Sequence, residues 1–185
     1  VSIMTFGTYV FIASYLHHYL DISLSLATLI ITIALLVDAS LEPFIAIIAD
    51  RIGLLKVSIF GIIGTLILSL PIFYLISSGK ISFIITGMIL LSILIAITYA
   101  PLNAYMVSLF PSEYRYSGFG TSFNLGIALF GGTTPLILLW LVNQTNNLLA
   151  PAWYYIFGAI IGLLSLLLCE HTRYDRNRLL NPVGN

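Results

Sequence analysis

Asp38 and Glu42 are the two acids of an otherwise largely apolar stretch, and their spacing is what first suggests chemistry. Residues four apart share one face of a helix. Two carboxylates this close in a low dielectric cannot both ionise cheaply, and such a pair suits a proton carrier. Pro43 follows directly and frees the carbonyl of Ala39. The same residues have a structural reading: a protonated Glu42 can donate to that carbonyl and patch a kink, or Glu42 can sit hydrated nearer the helix end. A second group follows at once, Asp50-Arg51-Ile52-Gly53-Leu54-Leu55-Lys56, a charged turn just beyond the apolar run. A third is Pro111-Ser112-Glu113-Tyr114-Arg115, with Gly118 after it. Tyr9, Tyr99, Asn103 and Asn124 are polar groups in other apolar stretches. Together they could line one wet cavity; singly, each could bond between helices.

These residues must be held by a membrane-embedded frame. Of 185 residues, 59% are hydrophobic and 8% charged. A soluble domain carries roughly 25% charged residues, so this chain cannot clothe its surface in polar groups. A carboxylate inside such a frame is expensive and marks a function. The formal net charge of zero makes nucleic acid an unsuitable partner. One cysteine, Cys169, excludes an internal disulfide framework. The chain starts at Val1 inside an apolar run, without a basic region or a small-residue cleavage site, so no signal peptide is expected and the start reads as a cut through a longer protein.

A span needs about 20 largely apolar residues. Six segments qualify, near residues 1–20, 23–49, 57–76, 82–109, 117–141 and 152–169. Backbone groups in lipid must bond within their own segment, and runs without strict alternation argue against a barrel, so these are helices. The expected organisation is a six-helix unit over residues 1–170 and a charged tail over 171–185. Pro43, Pro71, Pro101 and Pro135 interrupt spans two to five, and span five is rich in glycine, so bending is expected there. Trp153, Tyr154 and Tyr155 open the last span as an interfacial aromatic belt would.

Alternate connections lie on one side. That side collects Arg51, Lys56, Arg115, Arg173, Arg176 and Arg178, whereas Lys80 stands alone opposite; these are all seven Lys and Arg. The positive-inside rule makes the basic side cytoplasmic, with both termini on it. Enzyme chemistry finds no footing. Asp38 is the only aspartate well inside a span, as Asp21 and Asp50 lie at span ends, so a two-aspartate intramembrane protease is excluded. A serine type needs a serine and a histidine at matching depth, and the only histidines in or near a span before the tail, His17 and His18, lie together at its outer end, with no acidic or cysteine cluster beside them for a metal except Asp21. No cofactor is expected.

The turn after span two resembles a hairpin motif of the major facilitator superfamily, Gly-x-Leu-Ala-Asp-Arg-x-Gly-Arg-Arg/Lys. Residues 46–56 align with it, with Ala46 for the first Gly, Leu54 and Leu55 for basic residues, and Lys56 one position late. The stretch from Leu109 to Gly118, then Asn124, Gly131-Gly132 and Pro135, resembles the loop 10–11 and helix 11 signature of the metabolite:proton symporter family, which includes proline/betaine and dicarboxylate transporters; Ser108 stands where that family generally has Glu. The resemblance covers essentially the whole chain as helices 7 to 12 of twelve. It implies an all-α membrane protein, half of a twelve-helix fold, in a bacterial inner membrane. It implies proton-coupled symport of a small metabolite or osmolyte by alternating access, with a missing amino-terminal six-helix half, the bilayer, a solute and a proton as partners. Asp38 and Glu42 are then the proton-coupling candidates, and Tyr9, Tyr99, Asn103 and Asn124 the substrate-cavity candidates. Asp50, Arg51, Gly53, Lys56, Pro111, Glu113, Arg115 and Gly118 form the cytoplasmic gate. The alternative is a split-gene fragment that inserts without transporting. Val1, Ser108 and the two leucines after Gly53 favour it.

Overall fold

The computed structural model describes residues 2–180, with side chains as far as residue 170. Among the described residues every regular element is helical. We number six helical runs. α1 covers residues 2–20 and has three parts: an α-helix Ser2–Phe6, a π-helical turn Gly7–Phe11 and an α-helix Ile12–Leu20. α2 is Leu24–Ile52, α3 Leu54–Ser77 and α4 Ile81–Ser108. α5 is Arg115–Thr145, with a π-helical turn Ile127–Gly131 and a second α-helical part Thr134–Thr145. α6 is Ala150–Leu180. Each of α2 to α6 is long and apolar enough to cross a membrane. α1 is the remaining expected span, and its π turn divides what the sequence presents as one apolar run. This is an all-α, multi-pass membrane unit of six helices.

The connections differ from expectation at one point. Residues 50–56 are not a loop. α2 continues to Ile52, and α3 begins at Leu54. At 29 residues, α2 is about 43 Å long at 1.5 Å per residue. That exceeds the roughly 30 Å hydrocarbon core, so the helix is longer than a span needs, and its last turn presents Asp50 and Arg51, both exposed. Gly53 alone makes the reversal, with φ 116° and ψ 127°. A side chain there would be strained, and glycine is not. The Gly53 amide donates to the Ala49 carbonyl at 2.8 Å, and the Val57 amide donates to Gly53 at 3.2 Å. Asp50 therefore lies at the carboxyl end of a helix, and no side chain caps the start of α3. α6 likewise runs through the expected boundary at residue 170. The side chains of Arg173, Arg176 and Arg178, together with Val1 and residues 181–185, lie outside the described residues.

α4 forms the middle of the bundle and packs along both α3 and α2, while α3 packs on α6; α1 touches α2, α4, α5 and α6. Apolar association gains little inside lipid, so close approach of small residues must hold such helices together. Gly61 of α3 shows this: a methyl group there would come within 2.9 Å of the Thr98 backbone nitrogen of α4. Tyr15, Tyr155, Phe11 and Phe73 are the largest fully buried side chains. Tyr155 corrects an expectation. It belongs to the core rather than to an interfacial belt, since its hydroxyl is within 2.9 Å of Thr8 Oγ1 and its ring meets Phe73 edge-on at 5.1 Å. Trp153 beside it is exposed.

The prolines behave unequally. Pro43, Pro71 and Pro101 lie inside continuous helices. Only Pro135 accompanies a true interruption, at the start of the second α-helical part of α5, just after the π turn. The first part of α5, Arg115–Gly126, buries no residue fully.

Candidate functional site

Asp38 lies midway along α2. It shares the buried face with Ala34, Ile45 and Ala49 and is 8% exposed. Its Oδ1 is buried and has no hydrogen-bond partner. Buried polar atoms are bonded in the great majority of cases, and a bare one is costly, most of all when charged. Glu42, one turn on, is only half-buried. The sequence puts the two acids on one face, but four residues turn a helix by about 400°. The residual 40° is enough to move Glu42 to the edge of the buried face.

The Tyr9 hydroxyl lies beside the Asp38 carboxyl. It donates to Ser92 Oγ of α4 at 3.2 Å. Tyr9 sits in the π turn of α1, and so does Thr8. The two side chains face different neighbours, as successive residues about 100° apart do, Thr8 meeting Tyr155 of α6 and Tyr9 meeting α2 and α4. π turns recur at functional sites. Three helices thus converge on one buried polar cluster: Tyr9 of α1, Asp38 of α2 and Ser92 of α4.

A cavity of about 190 Å³ lies between α1, α4 and α5; its polar lining is Ser2, Thr5, Tyr99, Asn103 and Ser122. Tyr99 and Asn103 therefore share a cavity, as expected of them. Tyr9 and Asn124 do not line it. Tyr9 belongs to the Asp38 cluster, and Asn124 is exposed and donates through Nδ2 to the Gly120 carbonyl at 2.8 Å. The expected single convergence is thus two neighbouring groups. Ser2, Thr5 and Tyr9 succeed one another along α1, as Asn103, Tyr99 and Ser92 do along α4. The two polar stripes run side by side from the cavity to the acid.

At the Gly53 end of the bundle, Asp50, Arg51, Lys56, Pro111, Glu113 and Arg115 are all exposed. Among the described residues, Glu113 makes no ion pair with Arg51 or Lys56. The 109–118 segment is instead tied to itself. Arg115 Nε donates to the Phe110 carbonyl at 3.3 Å, and the Gly118 amide donates to Tyr114 at 2.8 Å. A methyl group on Gly118 would come within 2.6 Å of the Phe110 ring. Ser108 Oγ donates to its own helix, to the Tyr105 carbonyl at 2.6 Å. His17 Nδ1 lies 3.0 Å from the Ile22 carbonyl and the His17 ring packs on His18 at 5.2 Å, so this pair closes the end of α1.

The family model of the Major Facilitator Superfamily matches residues 1–183. The chain belongs to the major facilitator superfamily. It is 33% identical over 167 residues to an ectoine/proline transporter of Corynebacterium glutamicum, covering 88% of this chain and 33% of that one. It is 32% identical over 162 residues to a glycine betaine/proline/ectoine/pipecolic acid transporter of Dickeya dadantii, and 29% identical over 162 residues to a proline/betaine transporter of Escherichia coli K12; both matches cover 88% of this chain and 32% of the relative. The chain thus spans about a third of the length of these relatives. No solved structure matches it significantly. Its superfamily is one of transporters and not of enzymes.

In this facilitator-superfamily chain the sequence pointed to Asp38 but not to Ser92, Thr8 or Ser122. A lone serine in an apolar run reads as a residue bonded to its own helix. The usable signal was spacing: Ser92, Tyr99 and Asn103 stand at i, i+7 and i+11, one stripe of a helix. Nothing in the sequence near Thr8 announces a π turn, since no proline precedes it.

Proposed function

We propose that this chain is the carboxy-terminal six-helix half of a proton-coupled transporter of a bacterial inner membrane. Its solute is a small zwitterionic metabolite or osmolyte of the proline/betaine kind. The solute binds near the midplane between this half and an amino-terminal half, and the two halves rock to give alternating access. Asp38 carries the coupling proton. The observation that supports this most is the buried Asp38 carboxyl with an unpartnered oxygen, midway along a membrane-spanning helix. A neutral acid is cheaper when the site is closed and an ionised one when water enters, so protonation biases the two conformations differently. Tyr99 and Asn103 contact solute from the cavity they line. Residues 46–56 and 108–118 form the cytoplasmic gate, and the tail from residue 171 is cytoplasmic. In the full-length protein, Asp38→Asn should abolish uphill uptake driven by a pH gradient while downhill exchange continues. Undiminished accumulation by that variant would show the acid to be structural.

Orientation is tested separately. Ser78 and Ser112 are both exposed, at opposite ends of the bundle. A cysteine at 78 should react with an impermeant reagent added outside, and one at 112 should not; the reverse would turn the unit over.

A second reading, a fragment that inserts without transporting, is favoured by Ser108, whose hydroxyl is spent on its own helix where a carboxylate would reach outward. Expression of this chain with a separate amino-terminal half should restore uptake if the first reading holds.

A further inference from the structure

The buried cluster contains a hydroxyl with more acceptors than protons. A tyrosine hydroxyl donates once and accepts through its lone pairs. Tyr9 lies between Ser92 Oγ on α4 and the carboxyl of Asp38 on α2, and here it donates to the serine. We propose that Tyr9 is the positioning residue of the proton site: its hydroxyl holds Ser92 while Asp38 is protonated and turns to Asp38 when that acid ionises, so that proton occupancy on α2 decides which helix α1 is bonded to. The proposal rests on the reading of Asp38 as the proton carrier.

Three observations carry it. The Tyr9–Ser92 bond, at 3.2 Å, is longer than the roughly 2.7–2.8 Å usual for two hydroxyls. It is therefore easily exchanged. Asp38 Oδ1 is left bare although a donor stands beside the carboxyl. A carboxylate would draw that donor, because hydrogen bonds to an ionised acceptor are about twice as strong as neutral ones. When the carboxyl is protonated, it can donate to the Tyr9 oxygen while Tyr9 donates onward to Ser92. Finally, Tyr9 belongs to a π turn, where the backbone is already displaced from the α-helical ladder, and its present partner Ser92 is fully buried.

The other ionisable groups near the cluster do not supply an alternative. Glu42 acts on Asp38 from the same helix, and Tyr155 acts on Tyr9 from α6. Among the described residues no lysine, arginine or histidine acts on either group, so the Tyr9 hydroxyl is the available stabiliser of an ionised Asp38. Tyr9 keeps its own proton throughout. The proton that leaves Asp38 passes to water, and only the direction of the Tyr9 bond changes.

The test is infrared difference spectroscopy between acid and alkaline pH on the full-length protein in lipid vesicles, paired with accumulation assays. The parent should show a protonated-carboxyl band that Asp38→Asn removes. Tyr9→Phe takes away the bonding partner and should move that band to higher frequency. Ser92→Ala leaves Tyr9 only the carboxyl to bond and should move it to lower frequency. Each should lower the accumulation ratio about tenfold, within the usual range of coupling between sites. Opposite displacements support the switch, since loss of packing alone gives no reason for them. An unmoved band, or displacement in the same direction in both variants, overturns it. If Tyr9→Phe fails to insert, the direction in Ser92→Ala decides alone. If Asp38→Asn keeps both band and accumulation, it is the underlying reading of Asp38 that fails.

Discussion

Asp38 and Asp50 are aspartates of one helix in opposite surroundings. The middle of α2 holds an acid that is buried, one oxygen unpartnered, beside a tyrosine of α1 that is itself bonded to a serine of α4. The end of α2 holds an acid that is exposed, one turn from a glycine that reverses the chain. Both regions are dense in charged or polar residues in the sequence. In the first, side chains from three helices meet around one acid. In the second the backbone carries the geometry. Gly53 makes the turn, Gly118 admits the Phe110 ring, and Arg115 donates to a carbonyl rather than to an acid. The contrast sets a buried charge-bearing group against a place where backbone shape is tight.

The largest expected effect sharpens it directly. Asp38→Asn should eliminate uphill accumulation, whereas Asp50→Asn, which keeps size and exposure, should leave it in place; equal loss in both would erase the distinction. Next come the shape changes. Gly53→Val forces a branched residue to φ 116°, a strain of about 1–3 kcal/mol. Gly118→Ala overpacks the Phe110 ring by about 1–3 kcal/mol. Both should lower thermal stability in detergent without altering the pH profile of uptake. A smaller effect is expected of Glu42→Gln. The acid is half-buried at the edge of the face, so accumulation should fall by less than about fivefold, the low end of site-to-site coupling. The smallest belongs to Glu113→Gln. An exposed residue with no ion pair to lose should change stability by within about 0.5 kcal/mol. A larger loss would reveal a charge contact at the gate and break the contrast from the other side.

Much of the frame was legible because lipid simplifies the code. Low charge and runs of about 20 apolar residues admit few alternatives to helices. Asp38 was legible for the same reason, as an acid with no cheap excuse to be there. What escaped notice depended on rotation and on local irregularity. Glu42 shared the proton-coupling reading with Asp38, with a hydrated place nearer the helix end as its alternative, and the roughly 40° between them leaves it only half-buried. Tyr9 looked like a cavity residue, but it faces the acid from within a π turn. Tyr155 looked interfacial by its neighbours Trp153 and Tyr154, yet its hydroxyl is committed to Thr8 across the sequence. The hairpin looked like a loop because charge and glycine suggest one, while α2 simply continues to Ile52 and is longer than a span needs.

The central claim is that Asp38 holds the proton that moves with solute. It is tested most directly by following pH outside vesicles that contain the full-length protein, with no imposed gradient, when a solute such as proline or betaine is added. The account predicts alkalinisation on solute entry in the parent and in Glu42→Gln, and none in Asp38→Asn even where solute still enters. Alkalinisation in Asp38→Asn equal to the parent's, per solute taken up, would contradict it.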